Sequence, residues 1–529
     1  MLVGYVSDER YSALADVAVE FTDTRGGSWE ARSRASGSVH AELPPGEYVA
    51  TLQAPGFGAK RSRITVPVAE PHQFRLLSDG LSGYAWPKWV RSGERSEFRV
   101  HAVEPYKLSL WRYGWEPEFV RSLGWHDEHG PRATMQVTPD GDYTRTGVEW
   151  NKVGYANSVH SQQVAGPERS GLYYFRAETP SGRRFAFPWV VAPAKPSAPV
   201  AVLASTITWN AYNNFGGRSN YIHADGLPPT PTVNARAELK RYNDAGFFTW
   251  AADDYPPLSF DRPEPFNHID FAERITDPIE GRQACHLAPA EWRLHGWLER
   301  SGFPFDLYAE NQLDDGTLDL SAYRVLIAAV HPEYWTRRMY DRVKRWVFEQ
   351  GGRLMYLGGN GLNCEVELTP GGMLVRNGKL ASLAPDGMAG YESRFAQRHE
   401  SEANLLGVVF TLSGAMTGAP YRVRDASHWA FEGAGLKNGD LFGEACLHQR
   451  CPGGASGHET DKVSPSTPKS VRMLAKGTNP DDGGAEMVAF DTPGGGAVFS
   501  VGSINYVASL PVDEQVSRVT ANVLRRFLG

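Results

Sequence analysis

A change of hydrophobic period near residue 196 constrains the fold of this chain more than any other feature. Ahead of AKPSAP at 194–199 the apolar residues mostly alternate; behind it they come in unbroken runs. VAVLAST, YRVLIAAV and RLMYLGG are too uniformly apolar for strands with one wet face, so each is expected to be covered on both sides. EWRLHGWLERSGF and YWTRRMYDRVKRWVFEQGG repeat apolar residues at helical spacing and meet glycine at their ends, where a left-handed residue stops a helix. FDLYAE reads as another short strand. This strand and helix alternation predicts a mostly parallel sheet with helices on both faces, whose ligands sit beyond the carboxyl ends of the strands. EMVAFDTPGGGAVFSVG reads as a hairpin and DEQVSRVTANVLRRFLG as a closing helix.

The stretch ahead of the linker divides in two. MLVGYVSD, VAVEFTD, SVHAEL, EYVATLQA and RSRITVPV are short strands between turn residues, and LPPGEYVATLQAPGFGAK sets Gly and Pro where tight turns need them. Residues 1–77 resemble a carboxypeptidase regulatory-like (transthyretin-like) β-sandwich. SEFRVHAV, YKLSLWRYG, GLYYFRAET and RRFAFPWVVA predict an Ig-like sandwich over 78–195, with the aromatic residues of SLWRYGW filling its core or an interface. The expected organisation is therefore multidomain β plus α/β: two sandwiches, then an α/β domain over 196–529.

Composition narrows the classes of function. A net charge of -7 gives no reason to expect nucleic acid, whose phosphates would be repelled. There is no apolar stretch of roughly 20 residues, and the first residues lack the basic and apolar segments of a secretory signal. The four cysteines have no CxxC spacing and no metal-ligand partners in sequence, so reduced thiols and a cytoplasmic location are expected, with a Cys446–Cys451 pair as the alternative. Neither a Walker-type loop nor a GxGxxG after a strand is present, so nucleotide binding lacks support.

Two strand ends are chemically loaded. VAVLAST runs into ITWNAYNNFGGRSNY, and YRVLIAAV runs directly into His331-Pro332-Glu333. Residues two apart in extended chain face the same side, which sets an imidazole beside a carboxylate at the mouth of the sheet. The bland alternative is that Glu333 caps the next helix and His331 is a satisfied core histidine. YLGGNG ends the next strand at Asn360, whose amide could hold a carbonyl oxygen. Cys364 falls four residues beyond, so a thiol nucleophile elbow is absent. Asp253, Asp254 and LDDGT read as solvated loop charge rather than a cation site.

TITWNAYNNFGGRSNY, SFDRP, YRVLIAAVHPEYW, GGRLMYLGGNG, PYRVRDASHWAFEG, ASGHETD and GGAVFSVGSINY resemble, in the same order, the C-terminal domain of the N,N-dimethylformamidase large (beta) subunit family. YAWPKWVRSGERSEFRVHA and YKLSLWRYG extend the likeness into the second block. The resemblance implies a glutamine-amidotransferase-like fold and hydrolysis of a small N-substituted amide to a carboxylic acid and an amine. It also implies a mononuclear iron, Fe3+, on two tyrosines and a glutamate. Carried over by motif, Glu333 is the carboxylate ligand, Tyr212 one phenolate and Tyr221 the other, with Tyr255 its rival. His331 would stand beside the metal, with Glu459, Asn360 and Lys379 around it. Hard oxygen donors suit a trivalent ion, and a cation keeps phenols ionised that otherwise hold their proton to pH ~10.

The family carries a separate small helical subunit, for which this chain shows no segment; a homo-oligomer is expected. The rival readings are a hydrolase of the same site acting on a larger amide or urea-type compound, and a non-catalytic carbohydrate-binding protein.

Overall fold

The computed structural model describes the chain except residues 9–11, 77, 79, 103, 128–162, 214, 216–218, 221–229, 232, 234–256 and 377–391. At the amino end, strands Leu2–Ser7, Ser38–His40 and His72–Arg75 form one sheet, and Ala18–Asp23, Ser28–Arg32, Gly46–Gln53 and Lys60–Val66 form another. Alternate residues from both sheets, among them Val6, Val19, Phe21, Leu52 and Phe74, close a common core. Along Lys60–Val66 burial alternates at every residue, the mark of a strand with one covered face.

A second pair of sheets follows. Leu81–Trp86, Arg95–Ala102 and Gln163–Ala165 make three strands; Trp89–Arg91, Tyr106–Tyr113, Pro117–His126, Gly171–Glu178 and Arg184–Ala192 make five. SLWRYGW reaches the next layer: Tyr113 packs edge-on against Trp292, whose indole N–H donates to Gly114 O at 2.7 Å. Buried ion pairs reinforce this docking, Lys88 with Glu264 at 2.6 Å and Arg99 with Asp261.

The remainder is organised by one nine-stranded sheet. Its strands are β1 (Val200–Ala204), β2 (Phe305–Ala309), β3 (Val325–Val330), β4 (Arg353–Gly358), β5 (Tyr421–Val423), β6 (Leu441–Phe442), β7 (Arg472–Gly477), β8 (Glu486–Asp491) and β9 (Ala497–Ser500). Their order is β2-β1-β3-β4-β9-β8-β7-β5-β6. Helices α1 (Thr206–Tyr212), α2 (Ala288–Arg300), α3 (Glu310–Asp315), α4 (Arg337–Glu349) and α5 (Glu514–Leu528) accompany it. Successive residues of β1 and β3 enter different cores. Val200, Val202, Val325 and Ile327 pack with Trp292 of α2 and Val519 of α5. Ala201, Leu203, Leu326 and Ala328 pack with Val343 and Trp346 of α4. The unbroken apolar runs thus have the expected cause: both faces are dry.

The sheet is mixed rather than mostly parallel. Four pairings are parallel, β1–β2, β1–β3, β3–β4 and β4–β9, and four are antiparallel, β9–β8, β8–β7, β7–β5 and β5–β6. The parallel half is wound through crossovers carrying helices, whereas β7 to β9 follow one another through short reversals, which can only give antiparallel neighbours. Among the described residues, no helix is long and apolar enough to cross a membrane. All four cysteines are free, so Cys446 and Cys451 are not joined.

Candidate metal centre

The site lies where β1, β3 and β4 end. β1 passes through Ser205 into α1, which carries Tyr212 at its last position. Two buried carboxylates receive the first amides of that helix: Ser205 N donates to Glu291 Oε1 at 3.2 Å and Ile207 N to Glu310 Oε2 at 3.1 Å. Glu310 also accepts from Trp335 Nε1 at 2.8 Å, and Glu333 N donates to Thr208 Oγ1 at 3.1 Å. These bonds tie α1 to the segment after β3, fixing Tyr212 against Glu333.

The chain does not run straight from His331 to Glu333. Val330 adopts φ 62°, a costly conformation for a β-branched residue, and Glu333 N turns back to His331 O at 2.9 Å. The two side chains still meet, His331 Nε2 lying 3.3 Å from Glu333 Oε2, through a tight turn rather than the extended geometry the spacing suggests. Thr336, not Glu333, caps α4, its hydroxyl accepting from Met339 N at 3.1 Å. Asn360 and His458 share the left-handed backbone, at φ 50° and 66°. Strained residues clustered on three converging loops are a feature of functional sites.

Tyr212 Oη donates to Glu333 Oε2 at 2.8 Å, and Glu459 Oε2 lies 3.2 Å from His331 Nε2 on the other side. Asn360 Nδ2 donates to Glu459 Oε2 at 2.9 Å, and Asn360 N to Asp461 Oδ1 at 2.8 Å. The loop of Glu459 can come this close because residue 359 is glycine; a Cβ there would stand 2.3 Å from Glu459 O. Tyr212, His331, Glu333, Asn360 and Glu459 are therefore neighbours. Tyr221, its rival Tyr255, and Lys379 lie outside the described residues.

Two members have no signal in the sequence that couples them to the site. His286, in the turn before α2, sets its Nδ1 2.9 Å from His331 Nδ1. Asp461 holds both Asn360 N and, at 2.7 Å, the hydroxyl of Tyr356. In sequence, His286 is only a histidine before Leu-Ala-Pro, and Asp461 a polar residue two positions after Glu459.

The electrostatics are those of a buried negative excess. Burial alone would strip the proton from His331, but Glu333 and Glu459 outweigh it and raise its pKa. Burial pushes Glu333 up, countered by His331 and reinforced by the Glu459 charge. Burial also works against the Glu459 anion, yet His331 prevails and holds that pKa below the ordinary value. Burial raises Asp461 to about 7, with the Glu459 charge adding to the effect. Two buried carboxyls and the half-buried Glu459 around one imidazole, a phenol in contact with Glu333, and a His331 Nε2 with no aligned hydrogen-bond partner among the described residues make a donor set of mainly hard oxygens. Such a set fits a highly charged cation.

A second cluster fits a metal less well. The fold brings Cys285 Sγ, His448 Nε2 and His458 Nδ1 within 4.8 Å of one another, a meeting that sequence spacing hides. Cys451 N donates to His448 Nδ1 at 3.1 Å, so Nε2 of that ring carries the proton and donates to His458 Nδ1 at 3.1 Å. Burial lifts the Cys285 thiol to about 12, and it donates to Arg282 O at 3.1 Å. These atoms satisfy one another.

A family model described as N,N-dimethylformamidase beta subunit-like, C-terminal, matches residues 107–519. The chain belongs to that family. The N,N-dimethylformamidase beta subunit of an Alcaligenes species is 27% identical over 409 residues, covering 64% of this chain and 50% of that one. The N,N-dimethylformamidase beta subunit of Paracoccus aminophilus is 30% identical over 285 residues, covering 45% and 37%. The chain thus spans half or less of the length of these N,N-dimethylformamidase subunits. Among solved structures, a DUF3823 family protein from Bacteroides ovatus covers 34% of this chain and 92% of its own at 11% identity, with a TM-score of 0.12. A likeness that faint does not bear on the fold of this N,N-dimethylformamidase family member. The family match begins well after residue 77, so the first sandwich lies outside it.

Proposed function

We propose that this chain is an iron-dependent amidohydrolase that cleaves the C–N bond of a small N-substituted linear amide, of the formamide type, to a carboxylic acid and an amine. The observation that carries the reading is the contact between Tyr212 and Glu333 beneath His331 and Glu459. In this reading Tyr212 and Glu333 hold a ferric ion, joined by Tyr221 or its rival Tyr255. When bound, the ion supplies Lewis acidity, which polarises the amide carbonyl and acidifies water.

The remaining chemistry belongs to side chains. Amide nitrogen is a poor leaving group until protonated. Glu459, kept ionised by His331 and oriented by Asn360, is the base that takes a proton from the attacking water. His331, raised in pKa by the two carboxylates, is the acid that delivers one to the departing amine. Burial of His331 and Glu333 limits competing water. Lys379 is assigned to the surroundings of the site on family likeness alone.

The finer expectations go with this reading. Four consecutive parallel pairings with helices on both sides support a glutamine-amidotransferase-like core. The relatives' name as a beta subunit supports a companion subunit. Metal analysis of the purified protein, together with amine release from a panel of formamides, larger amides and ureas, tests the reading. Iron with formamide turnover supports it; turnover confined to ureas or larger amides favours the same-site rival, and a metal-free, inert protein overturns it.

A further inference from the structure

His286 is fully enclosed and stands against two members of the site. Its ring meets the Tyr212 ring edge-on, centroids 4.5 Å apart, and its Nδ1 lies 2.9 Å from His331 Nδ1. Its backbone is held as well: His286 N donates to Gln283 O at 3.1 Å, and Ala288 N to Asn267 Oδ1 at 3.2 Å, just where α2 begins. A residue placed so firmly can impose an orientation on its partner.

The chemistry of imidazole says which orientation. His331 Nε2 faces two carboxylate oxygens, Glu333 Oε2 at 3.3 Å and Glu459 Oε2 at 3.2 Å. A lone pair there would confront the lone pairs of both oxygens, so Nε2 must carry hydrogen. In the neutral ring Nδ1 is then the acceptor, and its partner must donate. A carboxylate or a backbone carbonyl in place of His286 would only accept. It would draw the hydrogen to Nδ1 and turn a bare Nε2 on Glu333 and Glu459. An imidazole can donate, and it can also accept when His331 is charged.

We infer that His286 is a positioning residue, its Nδ1 paired with His331 Nδ1 so that His331 keeps its Nε2–H directed between Glu333 and Glu459. The inference rests on the amidohydrolase reading for its catalytic consequence, but not for the tautomer itself. His286 touches neither substrate nor reacting atoms; it acts through His331. Asparagine can place an amide N–H near the position of Nδ1, whereas alanine leaves a buried nitrogen of His331 without a partner.

Two measurements on the full-length chain test this. The first is 15N NMR of histidine-labelled protein freed of metal by chelation, with His331 assigned by its loss in His331→Gln. Hydrogen on Nε2 in the parent and in His286→Asn, but lost or exchanging in His286→Ala, supports the inference. A bare Nε2 in the parent overturns it, even where His286→Ala does not fold, and so does an unchanged tautomer in a folded His286→Ala. The second is steady-state amine release at equal iron content. His286→Ala should lower kcat by about 10–100-fold, the usual cost of losing a tautomer-fixing partner, with little change in KM, and His286→Asn should recover most of it. Parental kcat in His286→Ala overturns the positioning role. If the parent holds no iron and hydrolyses no amide, the functional reading fails, and the tautomer measurement still decides what His286 does.

Discussion

Tyr212 and Glu333, 121 positions apart in the chain, meet at 2.8 Å with the phenol donating to the carboxylate. Tyr212 closes the helix that follows β1 and Glu333 the turn that follows β3, and Thr208 and Glu310 bind the two segments together behind them. The contact is a consequence of strand order. β1 and β3 are direct parallel neighbours, so their carboxyl ends open at one level.

Glu459 separates chemistry from ion binding. Glu459→Gln keeps the contact with Asn360 but removes the charge beside His331, so iron content should persist while kcat falls by about 10²–10⁴-fold, the range of general acid–base catalysis. Amine release at saturating amide, beside metal analysis of the same sample, checks this; a variant that turns over normally would remove Glu459 from the mechanism.

The second phenolate is open to a direct comparison. Tyr221→Phe and Tyr255→Phe should differ sharply in bound iron and in the visible absorbance of a tyrosinate–ferric centre. Equal retention in both would mean that neither ligates.

Glu291 makes a prediction about stability and pH. Its Oε1 accepts from Ser205 N and Trp209 Nε1, while Oε2 is buried without a partner among the described residues. Burial raises its pKa from 4.5 to about 8. A carboxyl that binds its proton more tightly folded than unfolded favours the fold below about 4.5, and that advantage is lost as pH rises to about 8. Glu291→Gln mimics the protonated form at every pH. Thermal melts should show the Tm of Glu291→Gln gaining on the parent across this window; a constant difference would show that the parent does not titrate there.

Much of this architecture is legible in the sequence because burial on two faces leaves no polar residue in a strand. VAVLA and VLIAAV could only be central, and the residues that break them, Ser205 and His331, mark the edge of the dry layer. Where strands are short and their neighbours antiparallel, as in β5 to β7, the pattern is weak and the sheet's mixed character is not visible. Site residues in the segments that leave the strand ends, Tyr212, Glu333 and Asn360, can be named beforehand. His286 and the Cys285, His448 and His458 cluster cannot, since their partners are set by how loops 45 and 173 residues removed fold back over the sheet.

The central claim is that side chains from separate strand ends trap a highly charged cation. The most direct test is the iron content and visible spectrum of the parent, Glu333→Ala and Tyr212→Phe, each folded by circular dichroism. The account predicts about one iron per chain and a charge-transfer band in the parent, both lost with turnover in Glu333→Ala, and the band weakened or lost in Tyr212→Phe. A Glu333→Ala protein that keeps its iron and its activity would contradict it.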